Sequence, residues 1–165
     1  VRADGIPVVL KLIGGAKPAD ANRLKKKIQN IDPVGQFVHY LGFNTHEELL
    51  LEYCKTDVLI FASSCETFGQ ILLEGMASGL PIVCSNHRPM PDILGDAGVY
   101  FDPENADSIT SAIRKLIESP ELRAKNSKMA FDQAQKYSWS LCAAETFSFI
   151  SQVLHEYKQK KYDRL

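Results

Sequence analysis

The sequence predicts an α/β fold in which an open parallel sheet carries helices on both of its faces. Short apolar runs of strand length alternate with longer amphipathic segments along the chain. The run DVLIFA at residues 57–62 is of the first kind, and residues 107–119 are of the second. Because strands that alternate with helices at this spacing form βαβ units with parallel strands, we expect one Rossmann-like domain.

The composition is that of a single domain with a substantial core. The chain has 165 residues, of which 45% are hydrophobic. Its formal net charge of −1 gives no basic surface for a nucleic acid or an anionic membrane. The sequence contains no Gly-x-Gly-x-x-Gly motif, which argues against a dinucleotide dehydrogenase. No apolar stretch reaches the ~18 residues of a membrane-spanning helix.

The cysteines are spread along the chain without a Cys-x-x-Cys pair or a Cys/His cluster. This spacing favours reduced thiols in a cytoplasmic protein over disulfide bonds or a zinc site. The four residues are Cys54, Cys65, Cys84 and Cys142.

In the first third of the chain the pattern predicts two strands and two helices. Residues 7–13 are expected to form a buried strand, and residues 36–41 a second one. Asp20 is expected to cap a helix that continues to about residue 30. Thr45 is expected to cap a helix through residue 55, with Glu48 completing a capping box.

The central part of the chain predicts a strand, a helix and a second strand. The strands are expected at 57–62 and 81–84, and the helix at 70–78. Because this helix is apolar nearly all round, we expect it to be buried. Gly79 provides a left-handed end for the helix, and Pro81 prevents its continuation.

The last part of the chain predicts one short strand and three helices. Two prolines are expected to keep residues 88–91 extended. His87 and Arg88 follow a strand and belong either to a ligand loop or to a solvated one. Residues 159–165 are expected to be a polar tail. The strand is expected at 98–102, and the helices at 107–119, 120–137 and 138–158.

The start of the central helix has the features of an anion site. Gly69 allows a sharp turn, so the backbone N–H groups of residues 69–72 lie at a helix N-terminus beyond a strand end. Ligands bind at such ends in open α/β sheets. Glu66 and Glu74 flank the site and would repel a phosphate, so they suit hydroxyl groups better. A phosphate, a ribose diol and a sugar together describe a nucleotide sugar.

The segment ETFGQILLE, residues 66–74, resembles the Glu-x7-Glu signature of retaining glycosyltransferases of the glycogen-synthase-like family four. The surrounding sequences LLEGMASGLPIV and PDILGDAGVYFDP strengthen this resemblance, which runs from about Val8 to Trp139. It implies that residues 1–158 are the nucleotide-sugar-binding, C-terminal half of a glycosyltransferase-B architecture. The half would lack its first strand, and the N-terminal acceptor domain would be absent.

The resemblance also implies roles for individual residues. Glu66 corresponds to the catalytic carboxylate that contacts the donor sugar, and Glu74 corresponds to the acceptor for the ribose diol. The family places an arginine and a lysine on its first strand, and neither Arg2 nor Lys11 stands in that context. The other donor-binding residues implied are Thr67, Phe68, Gly69, Gln70, Ile71 and Leu72 around the sugar and diphosphate, and Gly14, Gly15, Tyr40, Leu41 and Gly42 around the base.

The implied reaction moves a hexose from a nucleotide-diphosphate sugar to a hydroxyl group of a glycan, polysaccharide or glycolipid, with retention of configuration. Uridine-diphosphate hexose is the favoured donor, and guanosine-diphosphate mannose comes next. The family requires no metal and no other cofactor. The acceptor would bind through the absent N-terminal domain, and any peripheral membrane association would also depend on absent parts. Nucleic acid is not an expected partner, and the expected location is cytoplasmic.

Two other hypotheses remain open from the sequence. In the first, the chain is a degenerate Rossmann module that docks a partner without catalysis, because loss of a strand exposes a sheet edge. Alternatively, it would be a different Rossmann protein, such as a response regulator or a non-hydrolysing sugar-nucleotide epimerase. A response regulator needs an acidic phosphorylation cluster, which this sequence does not contain. The epimerases lack the ETFG block that this sequence has.

Overall fold

The computed structural model describes residues 1–2 and 5–162, with side chains described as far as residue 160. It confirms the α/β class, because strands and helices alternate along the chain. The strands are β1 (Leu10–Ile13), β2 (Val38–Gly42), β3 (Leu59–Phe61), β4 (Ile82–Ser85) and β5 (Gly98–Phe101). The helices are α1 (Pro18–Ile31), α2 (His46–Tyr53), α3 (Gln70–Ala77), α4 (Met90–Leu94), α5 (Ala106–Glu118), α6 (Pro120–Ala134) and α7 (Trp139–Tyr162), with a 3₁₀ turn at Gly95–Ala97.

The strands form two parallel sheets. One sheet pairs β1 with β2, and the other has the order β3-β4-β5. In the Rossmann strand order 3-2-1-4-5-6 the first strand lies between the second and the fourth. The resemblance implies that β1 to β5 correspond to the second to sixth strands of that order. In that case β1 and β3 would lie on either side of the first strand's position, which is where the two sheets separate.

The hydrophobic core is built around β4, all four residues of which are buried. Ile82 and Cys84 pack on one face with apolar residues of α3, α4 and α6. Val83 packs on the opposite face with Val99 and with residues of α5. The alternating side chains of β4 therefore contact helices on both faces of the sheet, as the sequence predicts.

The prediction of a buried strand at 7–13 is only partly correct. The strand begins at Leu10, and the side chain of Val9 before it is 59% exposed. Helix α1 beside it contains no buried residue. A largely apolar cavity of about 580 Å³, with Leu12 in its lining, separates α1, β1 and β2 from Thr110 of α5. The unit formed by β1, α1 and β2 is therefore packed more loosely than the β4 core.

Amide hydrogen exchange is expected to separate these two parts of the fold. The backbone N–H groups of β4 should exchange most slowly, because their opening requires disruption of the buried core. Those of β1 and β2 should exchange much faster. Exchange monitored by mass spectrometry on peptides from residues 10–13, 38–42 and 82–85 checks this expectation. Equal protection of all three peptides would contradict it.

Two local predictions, one helix start and one extended segment, are wrong. Lys17 occupies the N-cap position of α1 without a side-chain capping bond, and Pro18 is the first helical residue, so Asp20 lies within the first turn. Proline suits that position because its φ angle is already helical and its absent N–H has no partner there. The predicted extension of residues 88–91 is also wrong, because α4 begins at Met90. Pro91 lies in its first turn, where a proline is tolerated.

Other predicted helix boundaries are confirmed. The Thr45 hydroxyl accepts a hydrogen bond from the Glu48 N–H, and the Glu48 carboxylate accepts one from the Thr45 N–H. The Ser138 hydroxyl accepts one from the Leu141 N–H, which caps α7. The predicted end of this helix at residue 158 is wrong, because α7 continues to Tyr162, four residues into the predicted tail. The rest of that tail, residues 163–165, lies outside the described residues.

A buried aspartate that sequence reasoning did not identify connects α1 to β2. The Asp32 carboxylate accepts hydrogen bonds from the backbone N–H groups of Gln36, Phe37 and Val38, at 2.9, 2.6 and 2.9 Å. Burial alone would raise the pKa of Asp32, but these hydrogen bonds outweigh it and hold the pKa below its usual range.

Replacing Asp32 with asparagine is therefore expected to destabilise the fold near neutral pH. The amide NH₂ would face backbone donors and satisfy fewer of them. The carboxylate contributes stability above its unfolded pKa of 3.8 and loses it as the pH falls through the lower folded value. The difference in melting temperature between the wild type and Asp32→Asn should therefore disappear as the pH falls below the folded pKa of Asp32. Asp20→Asn is the control, and it should change the melting temperature little because the ion pair of Asp20 with Arg23 is exposed. Equal melting temperatures of the wild type and Asp32→Asn near neutral pH would contradict the expectation.

All four cysteines carry free thiols. Cys84 lies on β4, and burial raises the pKa of its thiol to about 12. Cys54, Cys65 and Cys142 are exposed.

Candidate functional site

The loop between β3 and α3, residues 62–69, forms the centre of the candidate site. Gly69 is the N-cap residue of α3 and has φ +89°, a left-handed conformation that favours glycine. Within the described part of the chain, no side chain caps this helix end. The backbone N–H groups of the first turn therefore point toward the space beyond β3, and the helix dipole adds partial positive charge there.

Glu66 lies beside this helix N-terminus. Its carboxylate Oε1 accepts a hydrogen bond of 3.0 Å from the Thr67 N–H. A Cβ atom built on Gly69 would lie 3.6 Å from Glu66 Cγ, so the side chain of Glu66 runs close to the capping residue. In this arrangement the Thr67 N–H is engaged by Glu66, and no group of the described residues hydrogen-bonds the second carboxylate oxygen of Glu66.

Glu74 lies one turn further along α3 and is half-buried. Its carboxylate Oε2 accepts a hydrogen bond of 3.2 Å from the hydroxyl of Tyr53, the last residue of α2. Sequence reasoning did not identify Tyr53. The available signal was weak: an aromatic residue with a polar tip at the end of an amphipathic helix.

The predicted burial of α3 on all sides is only partly correct. Leu72, Gly75 and Met76 are buried, whereas Ile71 is 51% exposed. Helix α3 packs so closely on β3 that a Cβ atom at Gly75 would overlap Leu59 Cδ2, as a glycine within a helix suggests. Gly79 ends the helix with φ +69°, as predicted.

The predicted donor residues of this loop differ in their surroundings. The side chain of Leu72 is fully buried in the core, so only its backbone N–H can reach a ligand. Phe68 is 45% exposed and packs edge-on against Tyr137, with 6.1 Å between the ring centroids. Gln70 is exposed. The helix N-terminus is therefore bordered by accessible apolar side chains as well as by carboxylates.

A second group of predicted residues gathers at the carboxyl ends of β1 and β2. The Gly14 N–H donates a hydrogen bond of 2.8 Å to the Gly42 carbonyl. The Tyr40 hydroxyl donates one of 3.0 Å to the Gly14 carbonyl. Gly42 has φ +70°, and Gly15 and Leu41 beside these residues are exposed. The structure thus brings together the five residues that the resemblance implies for base binding.

The cations near the N-terminus are engaged elsewhere, in agreement with the sequence interpretation. Arg2 donates a hydrogen bond to the Val8 carbonyl and stacks over the Phe37 ring at 4.3 Å. Lys11 forms an ion pair of 2.5 Å with Glu52, which links β1 to α2. The hydrogen bond from Lys11 is the main reason that the pKa of Glu52 lies below its usual range.

His87 approaches the Glu66 loop from β4. Its Nδ1 lies 3.3 Å from the Ser64 carbonyl oxygen, and its backbone N–H donates a hydrogen bond to the Ser85 hydroxyl. Arg88 is exposed and lies 3.7 Å from the Asp92 carboxylate. His87 thus belongs to the site region as a loop contact, while Arg88 points to solvent.

Within residues 1–2 and 5–162, no helix combines the length and apolarity needed to cross a bilayer. In the same ranges, no three His, Cys, Asp or Glu residues gather as a metal-binding cluster.

The chain has the fold of one half of a glycosyltransferase-B architecture. The sequence profile described as "Glycosyl transferases group 1" matches residues 1–133, and the chain belongs to this family. Over 112 residues, or 68% of the chain, it is 32% identical to the O-antigen chain mannosyltransferase B of Escherichia coli. Over 105 residues, or 61% of the chain, it is 34% identical to a sulfoquinovosyl transferase of Arabidopsis thaliana. The chain spans 29% and 21% of the lengths of these two relatives.

Solved glycosyltransferases share the fold. A glycosyltransferase from Rickettsia africae superimposes with a TM-score of 0.81 at 19% identity, over 93% of this chain and 42% of that one. Anabaena HepE, solved in complex with UDP-glucose, superimposes with a TM-score of 0.77 at 21% identity, over 91% and 43%. The chain therefore corresponds to less than half of each solved protein.

Proposed function

We propose that this chain is the donor-binding domain of a retaining glycosyltransferase that transfers a hexose from a nucleotide-diphosphate sugar, with UDP-hexose the favoured donor, to a hydroxyl acceptor of a glycan, polysaccharide or glycolipid. One observation carries the proposal. Glu66 lies beside the uncapped N-terminus of α3, and Glu74 lies one turn further along the same helix. This arrangement supports anion binding by the N–H groups and hydroxyl binding by the two carboxylates.

In the proposed reaction the bond between the anomeric carbon and the diphosphate oxygen breaks, and the diphosphate leaves with the electron pair. The acceptor oxygen bonds to the same face of that carbon, and its proton passes to the departing diphosphate oxygen. The N–H groups of the α3 N-terminus stabilise the charge that develops on the diphosphate. The Glu66 carboxylate favours positive charge on the sugar ring, and Glu74 accepts hydrogen bonds from the ribose. The proposal includes no metal and no other cofactor.

The comparisons support a nucleotide-sugar donor without selecting the base. HepE has been solved with UDP and with UDP-glucose. Another relative is a mannosyltransferase by name, so guanosine-diphosphate mannose stays the second candidate. Free thiols suit a reducing compartment, and we place the reaction in the cytoplasm. We also propose that residues 1–158 form one domain whose first strand would lie between β1 and β3.

Calorimetric titration of the chain with UDP-glucose and with GDP-mannose tests the proposal. We expect saturable binding of one nucleotide series, and the matching free nucleoside diphosphate should compete with it. The series that binds identifies the base. A folded sample, verified by circular dichroism, that releases no heat with either series would contradict the proposal.

A docking module without catalysis is the second candidate, and helix α7 favours it. Every residue from 139 to 160 is exposed, and the apolar side chains among them include Trp139 at 81% exposure. Exposed apolar surface of this extent is typical of an interaction site. Stable self-association in sedimentation experiments, combined with no affinity for either nucleotide series, would favour this candidate over the enzyme.

A further inference from the structure

Tyr53 makes a contact whose geometry suggests more than packing. The residue is only 5% exposed, yet its hydroxyl reaches across to α3 and donates to Glu74 Oε2 at 3.2 Å. Among the described residues, Tyr53 is the protein group that hydrogen-bonds this carboxylate. The other oxygen, Oε1, is left for a ligand.

The helix that carries Tyr53 is held at both of its ends. At its start, the reciprocal hydrogen bonds of Thr45 and Glu48 fix the first turn. Near its end, Glu52 pairs with Lys11 of β1 at 2.5 Å and lies 3.6 Å from Lys55. The Tyr53 ring therefore extends from a fixed backbone, and its hydroxyl has a defined position relative to α3.

We propose that Tyr53 is a positioning residue that holds the Glu74 carboxylate in the orientation that accepts ribose hydroxyls. This inference rests on the proposed function, because it deepens the role given there to Glu74. A glutamate side chain has three rotatable bonds, and one that is already ordered loses less freedom when a ligand binds. The site would then favour a ribonucleotide over an analogue without 2′ and 3′ hydroxyls.

The protonation of Tyr53 supports this role. Burial, followed by the nearby charge of Glu74, raises the pKa of the Tyr53 hydroxyl well above its usual range. The hydroxyl keeps its proton near neutral pH and acts there as a donor to the carboxylate. A hydrogen bond to a charged acceptor is stronger than one between neutral groups.

Tyr53→Phe tests the inference, because it removes the hydroxyl and keeps the buried ring. UDP and GDP, each beside its 2′,3′-dideoxy analogue, are titrated into wild type and variant. We expect the variant to lose roughly three- to tenfold of the preference for the ribonucleotide, with little change for the dideoxy form. Tyr100→Phe is the matched control, since its hydroxyl donates to the Gly95 carbonyl at 2.5 Å. It should keep the full preference.

A second comparison separates the loss of a positioned carboxylate from a general loss of structure. In a Glu74→Ala background, adding Tyr53→Phe should leave nucleotide binding unchanged, because the positioned group is already absent. A further loss of affinity there would overturn the inference. An unchanged ribose preference in Tyr53→Phe, or equal weakening of both analogues, would also overturn it while leaving the proposed function intact. No binding of any nucleotide by the wild type would overturn both.

Discussion

Glu74→Gln is expected to weaken binding of the nucleotide-diphosphate sugar by roughly tenfold or more. The wild-type carboxylate has Oε1 available for a ribose hydroxyl while Oε2 accepts from Tyr53. A glutamine keeps one acceptor oxygen, which the Tyr53 hydroxyl can occupy, and its NH₂ group is a donor. The ribose would then lose a charge-assisted hydrogen bond, a type that contributes about 1.5–3 kcal/mol.

The measurement is calorimetric titration with the nucleotide series that the wild type binds. Glutamine and glutamate have similar helix propensities, so α3 should keep its stability in the variant. Glu118→Gln is the control: it makes the same chemical change at an exposed position of α5. Equal affinities of wild type, Glu74→Gln and Glu118→Gln would show that the carboxylate does not hold the donor.

Gly69→Ala should have the second large effect, on binding and on stability together. Gly69 has φ +89°, where a side chain strains the backbone by about 1–2 kcal/mol. A Cβ atom there would make ordinary contacts at 3.6 Å with Glu66 Cγ and Leu72 Cβ. The strain is therefore expected to move the loop and the first N–H groups of α3, which lowers nucleotide affinity by about tenfold.

Gly79→Ala separates these two effects because it strains the other end of the same helix. Gly79 has φ +69°, and among the described residues a Cβ atom there would approach Ser127 Oγ alone, at 4.0 Å. Both variants should melt at a lower temperature than the wild type. Gly79→Ala should keep its nucleotide affinity, whereas Gly69→Ala should lose it. Equal affinity losses in the two variants would mean that binding follows helix stability and not the α3 N-terminus.

The fold class could be predicted because its signals are local. β4 and its neighbours are continuous apolar runs, and caps such as Thr45 with Glu48 are encoded within a few residues. The β1 error has a different origin. The apolar run of β1 gives the same sequence pattern whether or not another element covers the strand. In this structure, side chains of β1 border an open cavity. Burial of that strand depends on neighbours far from it in sequence.

The two carboxylates of the candidate site could be identified from their sequence context, whereas the contacts that orient them could not. Tyr53 and Glu74 are 21 residues apart, on different helices, and no local pattern connects them. The Tyr53–Glu74 contact is therefore a product of tertiary packing. Asp32 differs, because its partners are the N–H groups of residues 36–38, only four to six residues away. Its hydrogen bonds depend on how the loop between α1 and β2 turns back, which the residue types alone do not indicate.

Chemical-shift mapping of the backbone amides during a UDP titration tests the central claim most directly. The account predicts the largest changes at residues 66–74, around the N-terminus of α3, with further changes at residues 14–15 and 40–42. Residues of α5, on the opposite face of the sheet, should not change. Changes absent from the α3 N-terminus, or confined to α5 and α7, would contradict the assignment of this site to a nucleotide-sugar donor.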